Sequence, residues 1–276
     1  MRESKIKKYL LLFGALALFL FCALPFFWMI IISLTKYPDF LTAQVPFQFT
    51  IQNYVDVLSA NSTHLLDYLF NSLVISFTGA FFAAFFASLS AYAITRMRFP
   101  GRIIIPLILL AFSMFPQIAL VGYLFKMMNW IGWINTYFAL IFPYIALGIP
   151  LALWIMLSYF SQLSTEIDKA ALVDGATRFQ ILRKIIFPIA LPGIFSTFML
   201  IFIYSFNEFL FALMLTIDYN ARTIPVGIAL FEGIHGQIPW GQIMAGAVVA
   251  IVPVLILLGI FQKYIIKGLT EGAVKG

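Results

Sequence analysis

Six long apolar stretches alternate with short polar ones along this chain. They cover about 9–34, 68–95, 103–125, 137–160, 189–216 and 243–261. Only the fifth contains a charged side chain, Glu208. Each is close to or above the roughly 20 apolar residues that a helix needs to cross the hydrocarbon core of a bilayer. The pattern predicts an all-α membrane protein with six transmembrane helices, organised as one transmembrane domain over residues 1–276.

Details within the stretches sharpen this picture. The first is too long for the apolar core of a signal peptide and reads as an uncleaved helix that Pro25 kinks. The second carries Gly79, Ala80, Ala83, Ala84, Ala87, Ser88 and Ala91, small residues that allow close helix packing. Pro106 and Pro116 interrupt the third, and Pro143 and Pro150 the fourth. Such kinks either shape a cavity or reflect the ordinary frequency of proline in membrane helices. Trp130 and Trp133, in the loop between them, suit the membrane interface. Within the fifth stretch Asn207 and Glu208 stand out, because a carboxyl group at membrane depth usually faces protein or water. A translocation path, a buried structural pair or a position near the outer interface accounts for them.

The polar loop at 161–188 is the one with internal order. Thr165 is a candidate helix cap with Asp168 three residues on, and Glu166 and Asp168 suit the positive end of the helix dipole. Gly175 suits a left-handed stop. Thr177 and Gln180 form a second capping pattern, after which Phe179, Leu182 and Ile186 fall on one helix face. Pro188 and Pro192 are expected to end this second helix. Two short helices joined at a glycine make a compact knob. Either Ala170 and Ala171 leave a shallow spot for the approach of another protein's backbone, or the segment is an ordinary solvated loop.

Charge fixes sidedness. The polar segments on one side hold four, three, four and three Lys or Arg residues, at the N-terminus, Arg96–Arg102, Lys169–Lys184 and the tail. The other side holds only Lys36, Lys126 and Arg222. The positive-inside rule places both termini and the knob in the cytoplasm. The net charge of +6 is therefore topology rather than a nucleic-acid footprint.

Composition closes off several functions. Of the 276 residues 63% are hydrophobic and 10% charged, against about 25% charged in soluble domains. Cys22 is the single cysteine, so there is no disulfide framework. His64 and His235 match no metal spacing, and no phosphate-binding G-x-x-x-x-G-K-[ST] occurs. Asn61-Ser62-Thr63 is formally a glycosylation sequon, for which chance is the better explanation.

Lys169-Ala170-Ala171-Leu172-Val173-Asp174-Gly175-Ala176, followed by Phe187-Pro188-Ile189-Ala190-Leu191-Pro192-Gly193, resembles the EAA loop of ABC-importer membrane subunits. Lys169 stands where the first Glu of that motif is usual, and Ser164 where Pro is frequent. The likeness extends to residues 25–36, Asn71-Ser72-Leu73, Ala91-Tyr92-Ala93 with Arg96, Phe99-Pro100-Gly101, Phe115-Pro116, Phe206-Asn207-Glu208 and the tail from Gly268. Phe206 replaces the family's usual Trp. Together these resemble the smaller, six-span permease of the maltose-type carbohydrate ABC importers.

That resemblance implies a transport subunit without catalytic residues, metal or cofactor of its own. ATP and Mg would be bound by two partner ATPase subunits. A second homologous permease and an extracytoplasmic sugar-binding protein would complete the complex in a prokaryotic plasma membrane. It casts Glu166, Ala170, Ala171, Asp174, Gly175, Ala176 and Thr177 as the ATPase-coupling surface, and Asn207 and Glu208 as part of the translocation path. The loop at 217–242 would probe the binding protein's sugar cleft. A di- or oligosaccharide of trehalose or maltose type is the implied cargo, with glycerol phosphate as the non-sugar alternative. A self-sufficient secondary transporter or channel would show inverted repeats or ion-coupling residues at the midplane, and Glu208 is nearly the sole candidate. A membrane enzyme would need convergent catalytic groups, and the chain has no paired carboxylates or His-Cys cluster.

Overall fold

The computed structural model describes residues 2–36, 48–59, 63–231 and 238–273. The sequon residues Asn61 and Ser62, the loop residues Glu232 and His235, and the last three tail residues lie outside these. Among the described residues the regular secondary structure is helical, apart from one isolated β bridge between Thr35 and Phe49.

Among the described residues five helical stretches are long and apolar enough to cross a membrane: Lys7–Ser33, Leu65–Arg96, Tyr137–Gln162, Arg178–Phe206 and Trp240–Lys263. The predicted third span is two helices, α4 (Ile104–Ser113) and α5 (Gln117–Trp130), bent by 92°. Counted as one broken span they bring the total to the expected six. The break falls at Pro116, which lacks an N–H and disfavours helical geometry at Phe115 before it. Pro143 and Pro150, by contrast, lie inside the unbroken helix α6 (Tyr137–Gln162).

The chain forms two compact units. The first comprises residues 1–66 and 228–252. It contains α1 (Arg2–Ser33) and α2 (Gln52–Leu58). The buried Asn53 amide joins them, donating to the Ser33 and Thr35 carbonyls at 2.9 and 3.0 Å. The apolar stretch of α1 is only 6% buried.

The second unit, residues 67–227 and 253–276, holds the core. Here α3 (Leu65–Arg96) presents the predicted small-residue stripe, and Ala80, Ala83, Ala84, Ala87, Ser88 and Ala91 are all buried. The fit is tight: a Cβ added at Gly79 would lie 3.2 Å from Tyr144 Cβ, and one at Gly148 3.3 Å from Ala83. Helix α9 (Phe187–Phe206) packs on α6 just as closely, since a Cβ at Gly193 would meet the Tyr159 ring at 2.7 Å.

Two boundaries depart from expectation. Pro188 and Pro192 do not end a helix; the chain stays helical through both. A π turn at Leu182–Ile186 precedes them, in which the Phe187 N–H bonds the Leu182 carbonyl five residues back. This relaxed turn accommodates the missing Pro188 donor. Leu182 and Ile186 are buried while Phe179 is exposed, so the three do not share one buried face. At its far end α9 stops at Phe206, ten residues short of the expected 216, and the short helix α10 (Leu210–Leu215) follows the break.

Candidate coupling knob and translocation path

The knob begins at α7 (Thr165–Val173). Its cap is Ser164, one residue earlier than the sequence pattern indicates: the Ser164 hydroxyl accepts the Glu166 N–H at 3.3 Å. Asp168 is not free to serve as a capping partner, because it turns inward. It is 5% exposed and forms an ion pair with Arg96 at the end of α3, Nε to Oδ2 3.1 Å. Arg96 Nη2 also donates to the Leu163 carbonyl at 2.8 Å, and the Tyr92 hydroxyl lies 3.5 Å from Asp168 Oδ1. Glu166 faces outward and takes a hydrogen bond from Lys169 at 2.7 Å.

Gly175 has φ +84°, the left-handed conformation that stops the helix without a Cβ penalty. The Ala176 N–H closes the turn on the Ala171 carbonyl at 3.0 Å. Helix α8 (Arg178–Ile181) then starts on the expected capping box: Thr177 Oγ1 accepts the Gln180 N–H at 3.3 Å, and Gln180 Oε1 accepts the Thr177 N–H at 2.8 Å. The two alanines of the motif divide. Ala171 shares the buried face with Asp168, three residues apart, while Ala170 is exposed. Of the two alanines expected to form a shallow spot, only Ala170 lies at the surface. Beside it Val173 and Phe179 stand 87% and 68% exposed, two apolar prongs flanking Asp174 and Gly175.

The far end of the same unit carries a second polar cluster. Asn71 donates to the carbonyls of Tyr219 and Arg222 at 2.8 and 3.0 Å and accepts the Tyr137 hydroxyl. Ser72 Oγ accepts the Ile224 N–H at 2.7 Å. Asn135, at φ +62°, donates to Asp218 Oδ1 at 2.9 Å while its carbonyl accepts the Ile217 N–H at 2.9 Å. Asp218 also accepts the Asn220 N–H at 2.9 Å. The Asn135 amide, followed by the Asn220 N–H, holds the Asp218 carboxyl below the usual aspartate range.

Asn207 and Glu208 lie in the break between α9 and α10, and they part company. Asn207 is exposed and donates to the Ile203 carbonyl at 2.8 Å. Glu208 is 7% exposed and fully engaged within the chain. It accepts the Phe211 N–H at 2.8 Å, the Ala212 N–H at 3.1 Å and the Tyr144 hydroxyl at 2.7 Å. The carboxyl group thus satisfies two of the free N–H groups in the first turn of α10 and stabilises the break. Near this break, α4, α5, α6 and α9 enclose a cleft of about 490 Å³. Phe112, Phe115, Trp154 and Tyr204 line it, together with Ser113 and Gln117. Gln117 donates to the Tyr204 hydroxyl across it. Aromatic faces with a few polar groups are the usual lining of a small-molecule site. A cavity shaped by proline kinks is one of the two readings of these spans; its lining residues follow from the bend at Pro116, which sequence patterning does not specify. The Arg96–Asp168 pair was missed, although Tyr92 and Arg96 stand four apart on one helix face.

Residues 83–271 match the family described as the binding-protein-dependent transport system inner membrane component. The chain belongs to this family. It is 51% identical to the trehalose/maltose transport system permease protein MalG of Thermococcus litoralis, with 100% of each chain covered. It is 36% identical to the trehalose transport system permease protein SugB of Mycobacterium tuberculosis, over 93% of each. In fold it is similar to a chain of a bacterial ABC transporter involved in import of the acidic polysaccharide alginate, with TM-score 0.75, 22% identity and coverage of 96% and 98%. The chain is thus a multi-pass permease subunit of an ABC importer. In such systems nucleotide chemistry resides in a separate ATPase.

Proposed function

We propose that this permease forms half of the path by which a trehalose- or maltose-type sugar enters a prokaryotic cell, with both of its termini in the cytoplasm. Identity of 51% along the whole length of a trehalose/maltose permease carries the reading. A second permease supplies the other half, an extracytoplasmic binding protein delivers the sugar, and two ATPase subunits dock on the knob. The docking surface comprises Glu166, Ala170, Asp174, Gly175, Ala176 and Thr177, with Val173 and Phe179 as apolar anchors. The exposed prongs on an otherwise polar turn support it, since such groups mark protein contacts. Ala171 supports the surface from beneath. Asn207 and the cleft with Gln117, Tyr204 and Trp154 line the sugar's route, where aromatic faces stack on sugar rings and the amide bonds hydroxyl groups. Glu208 shapes that route by holding the break open.

Reconstitution in vesicles with the second permease, the ATPase and the binding protein tests this reading. ATP-dependent uptake of trehalose or maltose is expected. Uptake by the purified chain alone, with no ATPase, would refute it. Gly175→Pro should insert normally yet abolish sugar-stimulated ATP hydrolysis, and unchanged stimulation would overturn the docking assignment.

A further inference from the structure

We propose that α3 is a strut that links the knob to the 217–224 segment at the opposite membrane face, through a polar clamp at each end. The proposal rests on the importer reading, which supplies the force at the knob. At one end, the buried Arg96–Asp168 pair at 3.1 Å and the Arg96 bond to the Leu163 carbonyl at 2.8 Å tie α3 to α7 and to the turn before it. The chain itself connects the knob only to α6 and to the helix that continues into α9, so this clamp is α3's polar hold on the knob. At the other end, neighbouring residues Asn71 and Ser72 grip the 217–224 segment with three hydrogen bonds of 2.7–3.0 Å.

About 25 residues at about 1.5 Å each separate the clamps, a span of about 37 Å that matches a bilayer with part of its headgroup region. Between them the buried alanines and the close approaches at Gly79 and Gly148 leave α3 no slack against its neighbours. A displacement of the knob therefore moves α3 as a body and reaches the outer segment. Because linkage is reciprocal, a protein seated on the outer segment biases the knob equally. Arg96, Asp168, Asn71 and Ser72 are positioning residues in this device, acting through contacts within the chain.

The test uses the reconstituted complex and reads sugar delivered per ATP hydrolysed, a ratio insensitive to how much complex assembles. Wild-type sugar-stimulated hydrolysis is the control for the importer reading itself. Asp168→Asn should lower the ratio several-fold, and the charge swap Arg96→Asp with Asp168→Arg should restore much of it. Ser72→Ala with Asn71→Ala, which leaves the ion pair intact, should lower the ratio to a similar degree. Combining the two ends should be no worse than either alone, since both break one connection. An unchanged ratio at either end, or losses that simply multiply, would overturn the strut.

Discussion

The Tyr144 hydroxyl donates to the Glu208 carboxyl across 2.7 Å, joining the N-terminal third of α6 to the break after α9. Both residues are buried, and the same carboxyl accepts two backbone N–H groups of α10. Glu208→Leu leaves three donors unpaired, so a loss on the order of 3 kcal/mol is expected, since each buried unpaired group costs about 1–3 kcal/mol. Tyr144→Phe removes one donor and should cost about 1 kcal/mol. Thermal unfolding of the two variants in detergent checks the order. Equal losses would show that the backbone bonds contribute nothing.

Gly193 gives a second prediction. Its missing Cβ lets the Tyr159 ring approach to a distance no side chain tolerates. Gly193→Ala should destabilise by about 1–3 kcal/mol, as overpacking does. Tyr159→Ala in the same chain should relieve the clash, so that the double variant loses less than the two single losses combined. Additive losses would rule out the contact as the cause.

At the knob, any side chain at Gly175 must adopt the φ of +84° that glycine holds freely. Gly175→Ala should raise the local energy by about 1–2 kcal/mol. Thr177→Ala should cost about 1 kcal/mol by removing the cap. Faster amide exchange at Gln180 in Thr177→Ala, and at Ala176 in Gly175→Ala, is the readout. Wild-type exchange rates at these amides would contradict the capping assignment.

Asp218 gives a pH dependence. Its folded value lies below the ordinary one because the Asn135 amide and the Asn220 N–H bond the charged form. The stabilisation is therefore fully present above the ordinary aspartate value of about 3.9, and it is lost as pH falls through the lower folded value. Exchange at the Asn220 amide should accelerate across that acidic window. Asp218→Asn should flatten the response, and a persisting pH step in that variant would assign the effect elsewhere.

The sequence alone determined the class of this protein, since apolar runs of bilayer length leave a chain no other folded state in lipid. It also determined the parts of the knob that depend on near neighbours: the stop at Gly175 and the Thr177–Gln180 box are set by residues five or fewer apart. The small-residue stripe of α3 was legible for the same reason, because its period is that of a single helix. Tertiary structure decided what depends on partners distant in sequence. It turned Asp168 from a capping-box partner into the partner of Arg96, sent Ala171 inward while leaving Ala170 outside, and enclosed Glu208 with Tyr144. It chose Pro116, but not Pro143 or Pro150, as the point where a span breaks. A proline removes one hydrogen bond wherever it stands, and whether the helix bends there depends on how neighbouring helices pack around it, which no local pattern encodes.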